Sequence, residues 1–215
     1  MIPKSDSLLF SGIQPEDMAG MLDCIGYHVR SYEKGEIIAF EAEIINHVGV
    51  VLSGKVDMVK EDLWGNRTML VRVGKDEVFG ETFACGEDAM SMVTFQAAEN
   101  TEVLFLSFCR VMHTCSHACI FHQTLIENMV RLIARKNREL MRKVEVVSKR
   151  NLREKILAYL SIQAQQQNTK TFEIPLGRLE LAEYLCADRS ALTRELAKMQ
   201  AEGLIDYHKN TFRIL

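Results

Sequence analysis

The chain has 215 residues, 47% of them apolar and 26% charged, with a net charge of −3. That length allows one domain or two small ones, and the balance excludes a disordered tail. No apolar run approaches the ~20 residues that span a bilayer, which excludes a membrane-spanning helix. The opening Met1-Ile2-Pro3-Lys4-Ser5-Asp6 has no apolar signal core, and six cysteines are too few for a disulfide scaffold. A cytoplasmic protein with thiol cysteines is therefore expected.

Pro15-Glu16-Asp17 opens an apolar-periodic stretch through Met18, Met21 and Leu22, which predicts a helix. From residue 27 to residue 107 short β-rich runs follow one another, at 48–52, 56–59, 69–73 and 103–106. Glycines lie between or at the ends of these runs, as turns require. Short strands at such spacing predict a sandwich, roll or barrel.

At about His113 the period changes, and 121–147 contain neither Gly nor Pro. Within that stretch Ile126, Val130, Ile133, Asn137, Leu140, Val144 and Val147 are spaced alternately by four and three. This is the seam of a two-stranded coiled coil held for about three heptads. A helix packed on its own domain is the alternative, and it needs a wider apolar stripe. Asn137 favours the dimer, because a buried amide facing its twin fixes register and two-strandedness.

The boundary between modules is expected near Ser148-Lys149-Arg150-Asn151, dividing the chain into 1–148 and 149–215. The second part holds eleven Lys and Arg against eight Asp and Glu, the first fifteen against twenty-one. A basic end suits either a nucleic-acid surface or an ordinary solvated face. Residues 152–167 read as an amphipathic helix, and 171–174 as a short strand stopped by Pro175. Residues 176–185 form a short helix, interrupted by Cys186-Ala187-Asp188, with Asp188 a suitable N-cap for a second helix over 189–201. Leu192, Leu196 and Met199 make its inward stripe. The other side presents Arg189, Ser190, Thr193 and Arg194, with Lys198 further along. Two helices joined by a tight turn, with small Ala182 at their crossing, are a helix-turn-helix. Gly203 ends the second helix, and 204–207 with 211–214 form a hairpin wing. A helix fits the major groove, where Arg, Ser and Thr near its N-terminus reach base edges and phosphates.

Nearly the whole chain resembles the Crp/Fnr transcriptional regulators. The β-roll part rests on Tyr32-Glu33-Lys34-Gly35-Glu36, Leu52-Ser53-Gly54-Lys55-Val56 and Phe79-Gly80-Glu81. Asp188-Arg189-Ser190-Ala191-Leu192-Thr193-Arg194-Glu195-Leu196 resembles the family's recognition helix, with Thr193-Arg194 matching its groove-reading Ser-Arg pair. Two residues depart from the pattern: Cys186 at a turn position that is commonly Gly, and Glu195 at one that is often apolar. The resemblance implies an α+β protein. An N-terminal cyclic-nucleotide-binding-like β-roll leads into a dimerisation helix at about 120–148, followed by a C-terminal winged helix-turn-helix. It also implies a homodimeric regulator that binds an inverted repeat of double-stranded DNA and works with RNA polymerase.

Cyclic-nucleotide binders of this family place an Arg and a hydroxyl residue about ten positions after their Phe-Gly-Glu. Here Glu81 is present, but Ser91 and Met92 stand at those positions, so a cyclic phosphate would lack its cation. Residues 1–23 contain no Cys, so the family's N-terminal iron–sulfur cluster is also missing. The expected signal is other than a cyclic nucleotide, and the sequence names no cofactor. One further cluster comprises Cys109, His113, Cys115, His117, Cys119 and His122. On a helix Cys115, Cys119 and His122 share a side, and thiolates with imidazole suit a metal or a redox sensor. The alternative is that the cysteines fill space under the roll. No phosphate loop, zinc-protease motif or nucleophile elbow occurs, so an enzyme is not expected.

Overall fold

The computed structural model describes residues 5–65, 67–86, 88–112 and 120–215. Its contacts divide into two compact units, Met1–Ala134 and Arg135–Leu215.

In the first unit a 3-10 turn, Leu8–Phe10, precedes helix α1 (Met18–Ile25). Eight strands follow: β1 (Tyr27–Tyr32), β2 (Ile37–Ala39), β3 (His47–Ser53), β4 (Val56–Glu61), β5 (Arg67–Val73), β6 (Val78–Phe79), β7 (Thr94–Ala97) and β8 (Thr101–Ser107). The short helix α2 (Glu81–Ala84) lies between β6 and β7, and α3 (Phe108–Met112) follows β8. Helix α4 runs over Ile120–Val147, so the chain passes from the first unit to the second within it. The strands pair antiparallel in two sheets, ordered β1-β8-β3-β6 and β2-β7-β4-β5. This is the expected β-roll.

Period-two alternation gives the first sheet two buried faces. Val48, Val50, Leu104 and Leu106 point outward, under Leu9, Met21, Leu22 and Ile25 of the N-terminal segment and Leu125 and Met129 of α4. Val51, Phe79 and Val103 point inward and meet Val56, Val73, Phe95 and Ala97 of the second sheet. Two glycines are dictated by this packing. A Cβ on Gly49 would stand 2.4 Å from the Phe79 ring, and Gly54 turns β3 into β4 at φ +80°. The N-terminal turn is pinned by the buried Asn128 of α4, whose side-chain amide donates to the carbonyls of Leu9 (3.0 Å) and Ser11 (2.7 Å).

In the second unit α5 spans Leu152–Gln167. Asn151 caps its start, accepting from the Glu154 N–H, and Asn168 closes it at φ +50°. Strand β9 (Thr171–Glu173) and helices α6 (Arg178–Tyr184) and α7 (Arg189–Ala201) follow, then strands β10 (Ile205–His208) and β11 (Thr211–Ile214). Ile156, Leu160, Leu181, Leu185, Leu192, Leu196, Met199 and Phe212 make one core. The hairpin of the wing is as expected. The structure adds β9 as its third strand, paired to β11 with Thr211 opposite Glu173.

Candidate nucleic-acid interface

The start of α7 is fixed by Asp188. Its carboxylate accepts from the Ser190 hydroxyl (2.6 Å) and from the N–H groups of Ser190 (2.8 Å) and Ala191 (3.0 Å). The Ser190 hydroxyl and then these two N–H groups favour the ionised form, so the carboxyl titrates below the usual range. Leu192, Leu196 and Met199 are fully buried, which leaves Arg189, Ser190, Thr193, Arg194 and Lys198 exposed on the opposite face. The Thr193 hydroxyl donates to the Arg189 carbonyl (2.9 Å) and is held against its own helix. Helical spacing thus places all five sequence-predicted contact residues on one exposed, cationic surface.

The back of α7 is braced. Arg153 of α5 donates from Nε to Glu195 (2.5 Å) and from both terminal nitrogens to Glu202 (2.6 and 3.1 Å). Glu195, where an apolar residue is common, therefore has an ionic partner across the helix pair. Cys186, where Gly is common, sits at φ +49°. That left-handed turn explains the preference for Gly, and Cys accepts the strained conformation there. At the wing, the Arg178 guanidinium lies over Tyr207 (5.1 Å) and Phe212 (5.6 Å) and donates to the Lys209 carbonyl (3.1 Å). Sequence reading missed this brace between α6 and the hairpin tip.

Along α4 the apolar residues divide between two stripes. Leu125, Met129, Leu132 and Val146 are buried. Of the seven seam residues, Val130 is 60% exposed, Leu140 59% and Val144 54%; Ile133 and Asn137 are also exposed, and Ile126 and Val147 are half-buried.

In the roll, Glu81 is buried at the start of α2, with the Thr82 hydroxyl donating to it at 3.3 Å. Ser91 is also buried, and its hydroxyl donates to the Val93 carbonyl (2.6 Å) and accepts from the Val93 N–H (3.3 Å). Met92 points away, 69% exposed. His122 is buried and Cys109 exposed, while His113, Cys115, His117 and Cys119 lie outside the described residues. Among the described residues no group of three or more His, Cys, Asp or Glu is placed to hold a metal ion. None of their helices is long and apolar enough to cross a membrane.

Residues 29–116 match the cyclic nucleotide-binding domain, and residues 154–215 match the Crp-like helix-turn-helix domain. The chain thus joins a cyclic nucleotide-binding domain to a Crp-like helix-turn-helix domain and is homologous to the Crp/Fnr transcriptional regulators. Among Crp/Fnr relatives, it is 26% identical over 214 residues to the cyclic AMP receptor protein of Thermus thermophilus, covering 97% of this chain and 92% of that one. Solved structures with a similar fold include a CooA mutant from Carboxydothermus hydrogenoformans, with a TM-score of 0.65 at 16% identity over 98% of this chain and 92% of the other. The c-di-GMP responsive global regulator CLP of Xanthomonas campestris has a TM-score of 0.60 at 18% identity, over 91% and 98%.

Proposed function

We propose that this chain is a regulator of the Crp/Fnr type, a cytoplasmic homodimer that reads an inverted repeat in double-stranded DNA with Arg189, Ser190, Thr193, Arg194 and Lys198. The observation that carries the reading is the exposed cationic face of α7, backed by a buried leucine stripe and capped by Asp188. Arg194 and Thr193 address base edges, and Lys198, further from the helix start, addresses a phosphate. The exposed apolar stripe Val130–Ile133–Leu140–Val144 supports dimerisation through α4. Ile126, Asn137 and Val147 complete that seam. Two-fold symmetry then sets the half-sites about one helical turn apart. RNA polymerase is the partner that the likeness to Crp/Fnr regulators suggests for the output, and no catalytic activity is assigned.

The roll (residues 1–148 with its helix) receives the signal, and residues 149–215 carry the DNA contacts. The signal is other than a cyclic nucleotide. The Ser91 hydroxyl is turned onto the Val93 backbone and Met92 is an exposed thioether, so neither offers a cation to a cyclic phosphate. Selection from random duplexes with the full-length protein tests the DNA reading: an inverted repeat is expected, and enrichment of no motif refutes it. Calorimetric titration with cyclic AMP tests the signal. No heat above dilution is expected, and micromolar binding would show the reading of Glu81, Ser91 and Met92 to be wrong.

A further inference from the structure

The inner face of the first sheet is not sealed across its whole width. A crevice of about 270 Å³ opens to solvent where β1, β3 and β8 face β2 and β7. Its floor is aromatic: Tyr32, Phe79 and Phe95 are buried, and Phe105 is half-buried. The Phe79 ring lies 5.1 Å from Phe95 and 6.2 Å from Phe105, centroid to centroid. Its rim is polar and exposed. His28 stacks on Phe105 with centroids 5.0 Å apart and meets His47 edge to face at 5.3 Å. Beside them the Arg30 guanidinium lies 4.9 Å from the centre of the Tyr32 ring.

The charges facing this space come from three segments. His28, Arg30 and Tyr32 stand on β1, His47 on β3, and Glu43 on the loop before β3. The Glu43 carboxylate is occupied by the Phe40 N–H at 2.9 Å, and Glu36 stands 3.7 Å from Arg30. Partial burial, and secondarily the neighbouring His28, hold the His47 pKa below the ordinary histidine value. The rim therefore carries a guanidinium and two imidazoles, and burial with the nearby His28 opposes protonation of His47. An anion set between them reverses that opposition, because it favours the imidazolium and gains charge-assisted hydrogen bonds.

We propose that this crevice binds a small carboxylic acid with a flat apolar body, the carboxylate at the His28–Arg30–His47 rim and the body on the aromatic floor. The volume lies just below the ~300–1,000 Å³ of pockets for drug-sized ligands, which suits a ligand of one ring. Glu81, Ser91 and Met92 do not line this crevice, and the proposal does not rest on the DNA reading. Binding draws a proton onto the rim, so affinity falls as pH rises.

The test is calorimetric titration of the full-length protein with benzoate and with benzamide, at about pH 6 and about pH 8, on either side of the ordinary histidine range. Benzoate is expected to bind on the order of tenfold more tightly at the lower pH, a dependence that uptake of one proton accounts for. Benzamide is expected to bind weakly at both. His47→Gln should weaken benzoate and flatten its pH dependence, and Ala39→Phe, which fills the crevice, should abolish binding. Thermal unfolding of each variant confirms that it is folded. Failure of benzoate to bind at millimolar concentration, equal affinity for benzamide, or unchanged binding in folded Ala39→Phe protein would overturn the proposal.

Discussion

Arg194 stands one helical turn beyond Ser190 on the exposed face of α7, where its planar fork can meet O6 and N7 of one guanine. A bidentate pair of that kind is worth about 1–3 kcal/mol against the wrong base. Arg194→Ala should therefore erase the preference at one base pair of each half-site, read by selection from random duplexes. Lys198→Ala should weaken all sequences alike and lower the salt slope of binding by about one. Asp188 makes the start of this helix sensitive to acid. Its native carboxyl is depressed, so the cap's contribution is fully present above the unfolded pKa of about 4 and is lost as pH falls through the folded value. Asp188→Asn keeps an acceptor that does not titrate. The melting temperature of the wild type should fall towards that of Asp188→Asn, or below it, as pH is lowered past this range.

Between elements, the Arg153 clamp joins α5 to the back of α7 through two carboxylates. Arg153→Ala leaves Glu195 and Glu202 without that cation. It should lower the melting temperature and reduce DNA affinity, and exchanging charges with Arg153→Glu and Glu195→Arg should recover part of both. This contact was not legible in the sequence, because its residues lie 42 positions apart. What was legible is contiguous. The bounds of α5 and α7 follow from apolar period and caps, and which face of α7 is exposed follows from period alone. Strand β9 could be recognised as extended, but its place in the wing is set by pairing with Thr211–Arg213 across the helix-turn-helix. His28 and His47 became neighbours only because β1 and β3 both pair with β8, a register that alternation within each strand does not encode.

At the scale of the whole molecule the exposed stripe on α4 is the surface that the proposed dimer would bury. Burying a Val or Leu side chain fully stabilises by about 1.5–3 kcal/mol. Leu140→Lys should therefore shift sedimentation of the full-length protein from dimer towards monomer. Asn137→Leu should tighten association while loosening its register or oligomer state. A wild type that sediments as a monomer at micromolar concentration would remove the dimer. The position of the same helix in the chain also sets how late the N-terminal segment can be covered during synthesis. The Asn128 amide that holds Leu9 lies 119 residues further along the chain. At the usual ~5–20 residues per second, a ribosome takes roughly 6–24 s to make that stretch. Throughout that interval Leu9 and Phe10 lack the helix they pack against, so the nascent N-terminus leaves apolar surface uncovered until α4 emerges.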